Sequence, residues 1–380
     1  MKLPGPMLLR NVAPLAVGLA LAGALHFWLQ PASGAFATKV MLDAGINVIL
    51  AVSLTLVNGF TGQFSIGHAG FMALGGYVAS AVTYYGSFRL YGDGGFHGGL
   101  LSWTTSQGAF DGPLLAGGDC LFVVACLVGG LAAAVAGYAV GLPSLRLRGD
   151  YLAIVTLGFG EIVRVLLQST QPQLFSAREI QSVPAWQLGT NLGGALGFTS
   201  VPPYTTMFWV GLFAVFTLVC TYRVKQSSYG RAFLSIREDE IAAEAVGVRT
   251  TRLKVQAFVL SAFFAGLAGA LYAHLIQSIN AGELGFQKSF DVVIMVVLGG
   301  MGSISGSTLA AIILTILPEA LRTVTDYANR YLPAAYALPD LRMIIYSLAL
   351  IIMMIVRPQG LFGLHEIWEF RKKARRHVGT

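Results

Sequence analysis

The chain has 380 residues, 55% of them hydrophobic and only 11% charged, with a formal net charge of +7 and a mean hydropathy of +0.68. Soluble domains carry about a quarter of their residues as charges, so this composition excludes an ordinary soluble enzyme and points to a polytopic membrane protein. The positive excess is no nucleic-acid signature, because the basic residues gather in a few loops, as the charge asymmetry of membrane-protein loops requires.

In chain order, apolar stretches at 11–29, 39–57, 64–84, 119–141, 151–169, 204–222, 255–277, 289–299, 303–319 and 341–356 read as membrane helices. Runs such as 204–222 and 341–356 are apolar on every side, unlike the one-sided helices of soluble folds. The expected fold is therefore all-α: a polytopic integral membrane protein of about ten transmembrane segments with glycine-rich helix breaks. The first stretch follows Lys2 and Arg10 and precedes "AFA" at 35–37, which imitates a signal-peptidase site. It is longer than the roughly 7–15 residues of a signal h-region, so it reads as an uncleaved helix. The stretches 289–299 and 303–319 are short for spans and are separated by "GGMGSISG", 299–306.

The second and third stretches flank "VNGFTGQFSIGHAGFMALGGYVAS", 57–80. Gly62, Gln63, Ser65, Gly67 and His68 interrupt its apolar character, and lipid rejects such a run unless protein satisfies it. It reads as a helix break facing protein or a pathway; a lone His68 among small residues reads as hydrogen-bonded packing. The segment 299–313 echoes 62–76, each placing Gly, then Ser-Ile, then Gly ahead of a small-residue helix, which marks Gly300, Gly302 and Ser303 as a second break. Asn47 and Asn58 are expected to bridge helices or satisfy backbone at breaks. Mid-helix Glu161 is costly in lipid and needs protein or water around it. It is either a pathway element or half of an internal pair with Arg164, three residues on. Asp150 stands where it could cap that helix. Cys120, Cys126 and Cys220 lie in apolar runs and form neither a disulfide framework nor a metal site.

Arg146 and Arg148 in the link 142–150, seven Lys and Arg in the loop 223–254, and six between 357 and 376 assign these segments to the cytoplasm, with both termini. The basic-poor segments 85–118 and 170–203 face outside. Residues 1–363 then form one transmembrane domain, with a glycine-rich external insert at 85–118, a cytoplasmic loop at 223–254, and a basic cytoplasmic tail at 364–380. Within the loop, "EDEIAAEAVG" reads as a short helix: Glu238, Asp239 and Glu240 favour its N-terminus, Glu240 and Glu244 share a face, and Gly247 ends it. A short acidic helix between basic segments suits docking into a partner's groove, and it equally suits a solvated surface loop. "GELGFQKS" at 282–289 imitates a phosphate loop, but Gln287 replaces the second glycine and no strand precedes it, so the chain is not expected to bind ATP there.

The loop resembles the "EAA" coupling loop of ABC-importer permeases, although the downstream I-x-L-P of that motif is absent. "GQFSIGHAGFMALGGYVA" (62–79), "LRLRGDYLAIVTLGFGEIVRVLL" (145–167), "REDEIAAEAVGV" (237–248), "VVLGGMGSISGSTLAAIIL" (296–314) and "RPQGLFG" (357–363) resemble, in order, hallmark segments of M-type permeases of high-affinity branched-chain amino-acid importers. The insert at 86–119 is longer than typical there, and urea and short-chain amide permeases are similar to the same family. The resemblance implies one half of a translocation pathway and no catalytic residues or cofactor. It implies a second related permease subunit as heterodimer partner, two ATP-binding cassette subunits, a periplasmic solute-binding protein, and a bacterial-type inner membrane. The coupling residues would be Arg231, Glu238, Asp239, Glu240, Glu244 and Gly247. The competing class is a stand-alone secondary carrier, motivated by Glu161 and the broken segments.

Overall fold

The computed structural model describes residues 5–103, 112–144 and 150–331, then 347–348, 351–352, 355–357, 360–363 and 366. Arg146, Arg148, most of the expected helix 341–356 and most of the tail lie outside these residues. Eleven principal helices are described: α1 (Gly5–Ala24), α2 (Ala35–Leu54), α3 (His68–Leu90), α4 (Gly117–Ser144), α5 (Asp150–Gln168), α6 (Met207–Gln226), α7 (Ser228–Glu238), α8 (Glu240–Ala245), α9 (Thr250–Ile276), α10 (Phe286–Gly299) and α11 (Ile304–Tyr331). The chain is an all-helical polytopic membrane protein. Seven described helical runs are long and apolar enough to cross a membrane: Pro14–Ala32, Ala35–Phe60, Gly117–Ser144, Tyr151–Gln168, Met207–Gln226, Thr250–Ile276 and Ile304–Thr323. Two expected segments depart from that standard for physical reasons. The helix expected from 64 begins at His68, because 61–67 is not helical, and its 23 residues are diluted by glycine, serine and tyrosine; α10 has just 14 residues.

The helices alternate between two ends of the bundle, called here the linker end, which carries α7 and α8, and the cap end. The core is the triple packing of α3, α4 and α9, where missing side chains permit backbone contact. A Cβ on Gly75 would stand 2.3 Å from Gly266 Cα, and one on Gly269 would stand 1.9 Å from the Met72 carbonyl oxygen. Small residues are the usual means of close helix approach in lipid, where burying apolar surface gains nothing. Buried polar groups are satisfied between the helices: His274 Nε2 of α9 meets Thr83 Oγ1 of α3 at 2.8 Å, and Ser261 Oγ of α9 donates to Ser53 O of α2 at 2.7 Å.

The cap end is built from the two basic-poor segments. Asp119, fully buried, accepts from Gly99 N at 2.7 Å, Ala116 N at 2.8 Å and the Ser102 hydroxyl, which ties the described part of the insert to the start of α4. Trp209 Nε1 donates to Ser102 Oγ at 2.8 Å, and Phe198 pairs with Ile279 through both backbone amides. From Ile279 the chain descends in non-helical form to Gly285, and α10 carries it on to the linker end. One traverse is thus shared between an irregular run of turns and a half-helix. That explains why α10 is short.

Candidate functional site

Two turns meet at the linker end. The run Ala35–Phe60 ends in a π-helical turn (Thr55–Phe60) and passes into the non-helical break 61–67; α10 ends at Gly299 and turns through 300–303 into α11. Gly62, Gly300 and Gly302 have φ of 68°, 107° and 109°, a region that side chains with a Cβ rarely enter. A Cβ on Gly59 would stand 2.8 Å from Gly302 N, so the two turns touch through backbone. The sequence echo between 62–76 and 299–313 therefore picked out neighbouring hairpins.

Two cations hold this junction. Arg237, near the end of α7, donates from Nη1 to Gly59 O at 2.9 Å and to Met301 O at 3.3 Å, bridging both turns. Lys225, in the last turn of α6, donates to Gly302 O at 2.9 Å and pairs with Glu366. Glu366 also accepts from Ile304 N and Ser305 N, both at 3.0 Å, so a carboxylate caps the N-terminus of α11, where backbone donors and the helix dipole favour an anion. Burial alone would raise the Glu366 pKa, but Lys225 and the Ser305 hydroxyl and amide hold it below the ordinary glutamate value. Ser303 Oγ accepts from Gly306 N at 3.1 Å, and Leu361 N reaches Leu298 O at 2.8 Å, so residues 360–363 lie along the same turn.

The break 61–67 is secured by named groups. Asn58 Oδ1 accepts from Ser65 N at 3.1 Å, and Thr156 Oγ1 of α5 accepts from Ile66 N at 3.1 Å. A Cβ on Gly67 would stand 2.1 Å from Thr156 O, so α5 is pressed against the break. His68 is buried with Nε2 2.8 Å from Ser53 Oγ, which fits the packing role. Ser65 is buried in the break, and Gln63, also buried, has no hydrogen-bond partner on either side-chain amide atom. The described parts of the five hallmark segments thus meet in one region.

The linker is two short helices rather than one. Asp239 lies between them and caps α8, accepting from Ile241 N at 2.9 Å and Ala242 N at 3.1 Å. Gly247, at φ 89°, closes it, with Val248 N returning to Ala243 O at 3.0 Å. Glu240 and Glu244 do share a face, and that face lies against the start of α9: Glu240 pairs with Lys254 at 2.6 Å, and Glu244, itself exposed, accepts from Thr250 Oγ1 at 2.6 Å. Glu238 and Asp239 are exposed, as is Arg231, which donates to Ser228 Oγ at 3.0 Å. Ile241 and Val246 project apolar surface, 66% and 79% exposed. Sequence reasoning missed Arg237, Lys225 and Glu366 as site residues. The signal for Arg237 was its place directly before the acidic run.

Away from the junction, Glu161 and Arg164 form the expected pair at 2.7 Å, and Arg164 also donates to Gln168 Oε1 at 3.2 Å. The pair lines a cavity of about 480 Å³ together with Glu283 and the first turns of α10, including Lys288 and Asp291. Lys288 Nζ donates to Asn47 Oδ1 at 3.1 Å, and Asn47 Nδ2 donates to Thr315 Oγ1 at 2.9 Å. Among the described residues no His, Cys, Asp or Glu cluster could hold a metal ion.

Comparison with known proteins adds relatives to this geometry. The family model described as "Branched-chain amino acid transport system / permease component" matches residues 36–355. The chain is 34% identical to the high-affinity branched-chain amino acid transport system permease protein LivM of Salmonella typhimurium, over 91% of this chain and 73% of that one. The same protein of Escherichia coli matches at 34%, over the same shares. The high-affinity branched-chain amino acid transport system permease protein LivH of Salmonella typhimurium is 24% identical over 84% of this chain and 92% of its own. No solved structure matches.

Proposed function

The chain belongs to the branched-chain amino acid transport system permease family, and from that premise we propose that it forms one half of the translocation pathway of an ABC importer. The solute is a branched-chain or related small amino acid, and the membrane is a bacterial-type cytoplasmic membrane with the linker end inside. Similarity to both LivM and LivH supports a pathway made from two related permeases, this chain and a partner. The ATPases are two separate chains, and an extracytoplasmic binding protein delivers solute to the cap end.

The observation that carries the coupling role is Arg237. It sits one residue before the exposed turn into α8 and grips the carbonyls of both hairpin turns. A displacement of α7–α8 by a docked ATPase is thereby passed to α2, α10 and α11 together. Ile241 and Val246 provide an apolar knob for a groove on that ATPase. Glu240 and Glu244 act differently, holding α8 against the start of α9.

Co-purification from a strain expressing this chain with candidate ATPase subunits tests the reading. Wild-type chain brings the ATPases down, and Ile241→Asp does not while remaining folded. Recovery of the ATPases at wild-type levels with Ile241→Asp contradicts docking at α8. The urea or short-chain amide alternative is separated by uptake competition: excess leucine, and not urea, suppresses uptake of labelled solute.

A further inference from the structure

The cavity between α5 and α10 gathers charged side chains from both helices and from the turn before α10. Lys288 makes one described hydrogen bond, to Asn47 Oδ1, and lies within electrostatic reach of Asp291 and Asp43 without a direct ion pair to either. Asn47 stands at the middle of the 26-residue run Ala35–Phe60, so this ammonium lies at mid-depth. Asp291 is three residues on, on the same face of α10, and Glu283 borders the other side of the first turn. Facing them, the Glu161–Arg164 pair keeps 39% and 32% of its side-chain surface exposed. Charge open at mid-depth cannot border lipid; protein or water must cover it. The first turn of α10 lines the same space, and the amides of such a turn have no intrahelical acceptors.

We propose that this cavity is an intramembrane station for the zwitterion of an α-amino acid. The carboxylate sits on the Lys288 ammonium and the first-turn amides of α10. The α-ammonium sits between Asp291 and Glu283, and the side chain points toward the pathway. At about 480 Å³ the space falls within the few hundred to about 1,000 Å³ of small-molecule sites. The separated opposite charges select for a zwitterion over a neutral amide, which has no ends to match. The inference rests on the importer reading and gives its substrate a recognition chemistry within this chain.

The test uses proteoliposomes holding the complete complex: this chain, its partner permease, the ATPases and the binding protein. ATP-driven uptake of labelled leucine is compared for wild type, Lys288→Met, Lys288→Arg and Asp291→Asn, each checked for intact co-purification of all subunits. Lys288→Met and Asp291→Asn are expected to lower maximal uptake about ten- to a hundredfold, the loss expected of one charge-assisted hydrogen bond. Leucine affinity of the binding protein stays unchanged, and Lys288→Arg restores most of the uptake. Assembled Lys288→Met and Asp291→Asn complexes that transport at the wild-type rate overturn the station and leave the importer reading standing. A wild-type complex that takes up no leucine overturns the importer reading and the station with it.

Discussion

Replacing Arg237 by alanine removes a guanidinium that hydrogen-bonds the backbone of both turns. Its Nη1 donates to Gly59 O at 2.9 Å and, more weakly, to Met301 O at 3.3 Å. Hydrogen bonds from a charged donor are worth about 1.5–3 kcal/mol, and with the second bond long and the guanidinium half-exposed about 2 kcal/mol is a fair total. That is about a 30-fold shift between docked and released linker. The core is untouched, so the variant folds and assembles. The assay is the number of ATP molecules hydrolysed per solute imported in a reconstituted complex. Arg237→Ala is expected to retain ATP hydrolysis and lose most uptake, raising that ratio by about the same 30-fold. Arg237→Lys keeps the charge without the planar fork that reaches two carbonyls, and falls between. An unchanged ratio in Arg237→Ala refutes transmission through this contact.

Other consequences can be measured on the purified complex. Asp239→Ala removes the cap of α8 and should cost about 1 kcal/mol locally, read as faster hydrogen exchange over 240–247. Glu366→Gln leaves Lys225 without its carboxylate and is expected to destabilise the junction by about 2–3 kcal/mol, seen as a lower unfolding temperature. The pH dependence follows from the same group. Its folded pKa lies below the ordinary 4.5, so its contribution is fully present above that value and is lost as pH falls through the folded one. The wild-type advantage over Glu366→Gln should therefore shrink on acidification below 4.5 and stay constant above it. Gly269→Ala puts a methyl 1.9 Å from the Met72 carbonyl and should cost at least about 1–3 kcal/mol, lowering the yield of folded protein.

Much of the architecture was legible because lipid imposes blunt rules. Apolar length located the spans, and polar residues beside glycine marked the breaks at 61–67 and 299–303. The acidic run and Gly247 located α8. What remained hidden depended on depth and direction, which periodicity does not encode. "QSINAGELG" (277–285) has the composition of a surface loop, yet it pairs at Ile279 with the cap and then descends to Gly285 beside Glu161. "GELGFQKS" was discarded as a nucleotide loop; its glycine and lysine instead mark a helix start bordering a charged cavity. Glu240 and Glu244 share a face as expected, but only the positions of Lys254 and Thr250 reveal that it is tied to the start of α9. Glu366 was one carboxylate in a basic tail, and its partners, Lys225 and the start of α11, are distant in sequence.

The most direct test of the account is uptake by reconstituted vesicles of defined composition. Leucine should enter only when this chain, its partner permease, the ATPase subunits, the binding protein and ATP are all present. Omitting the ATPases or ATP should abolish uptake. Accumulation driven by an ion gradient through vesicles containing this chain alone would contradict the account and establish a stand-alone carrier.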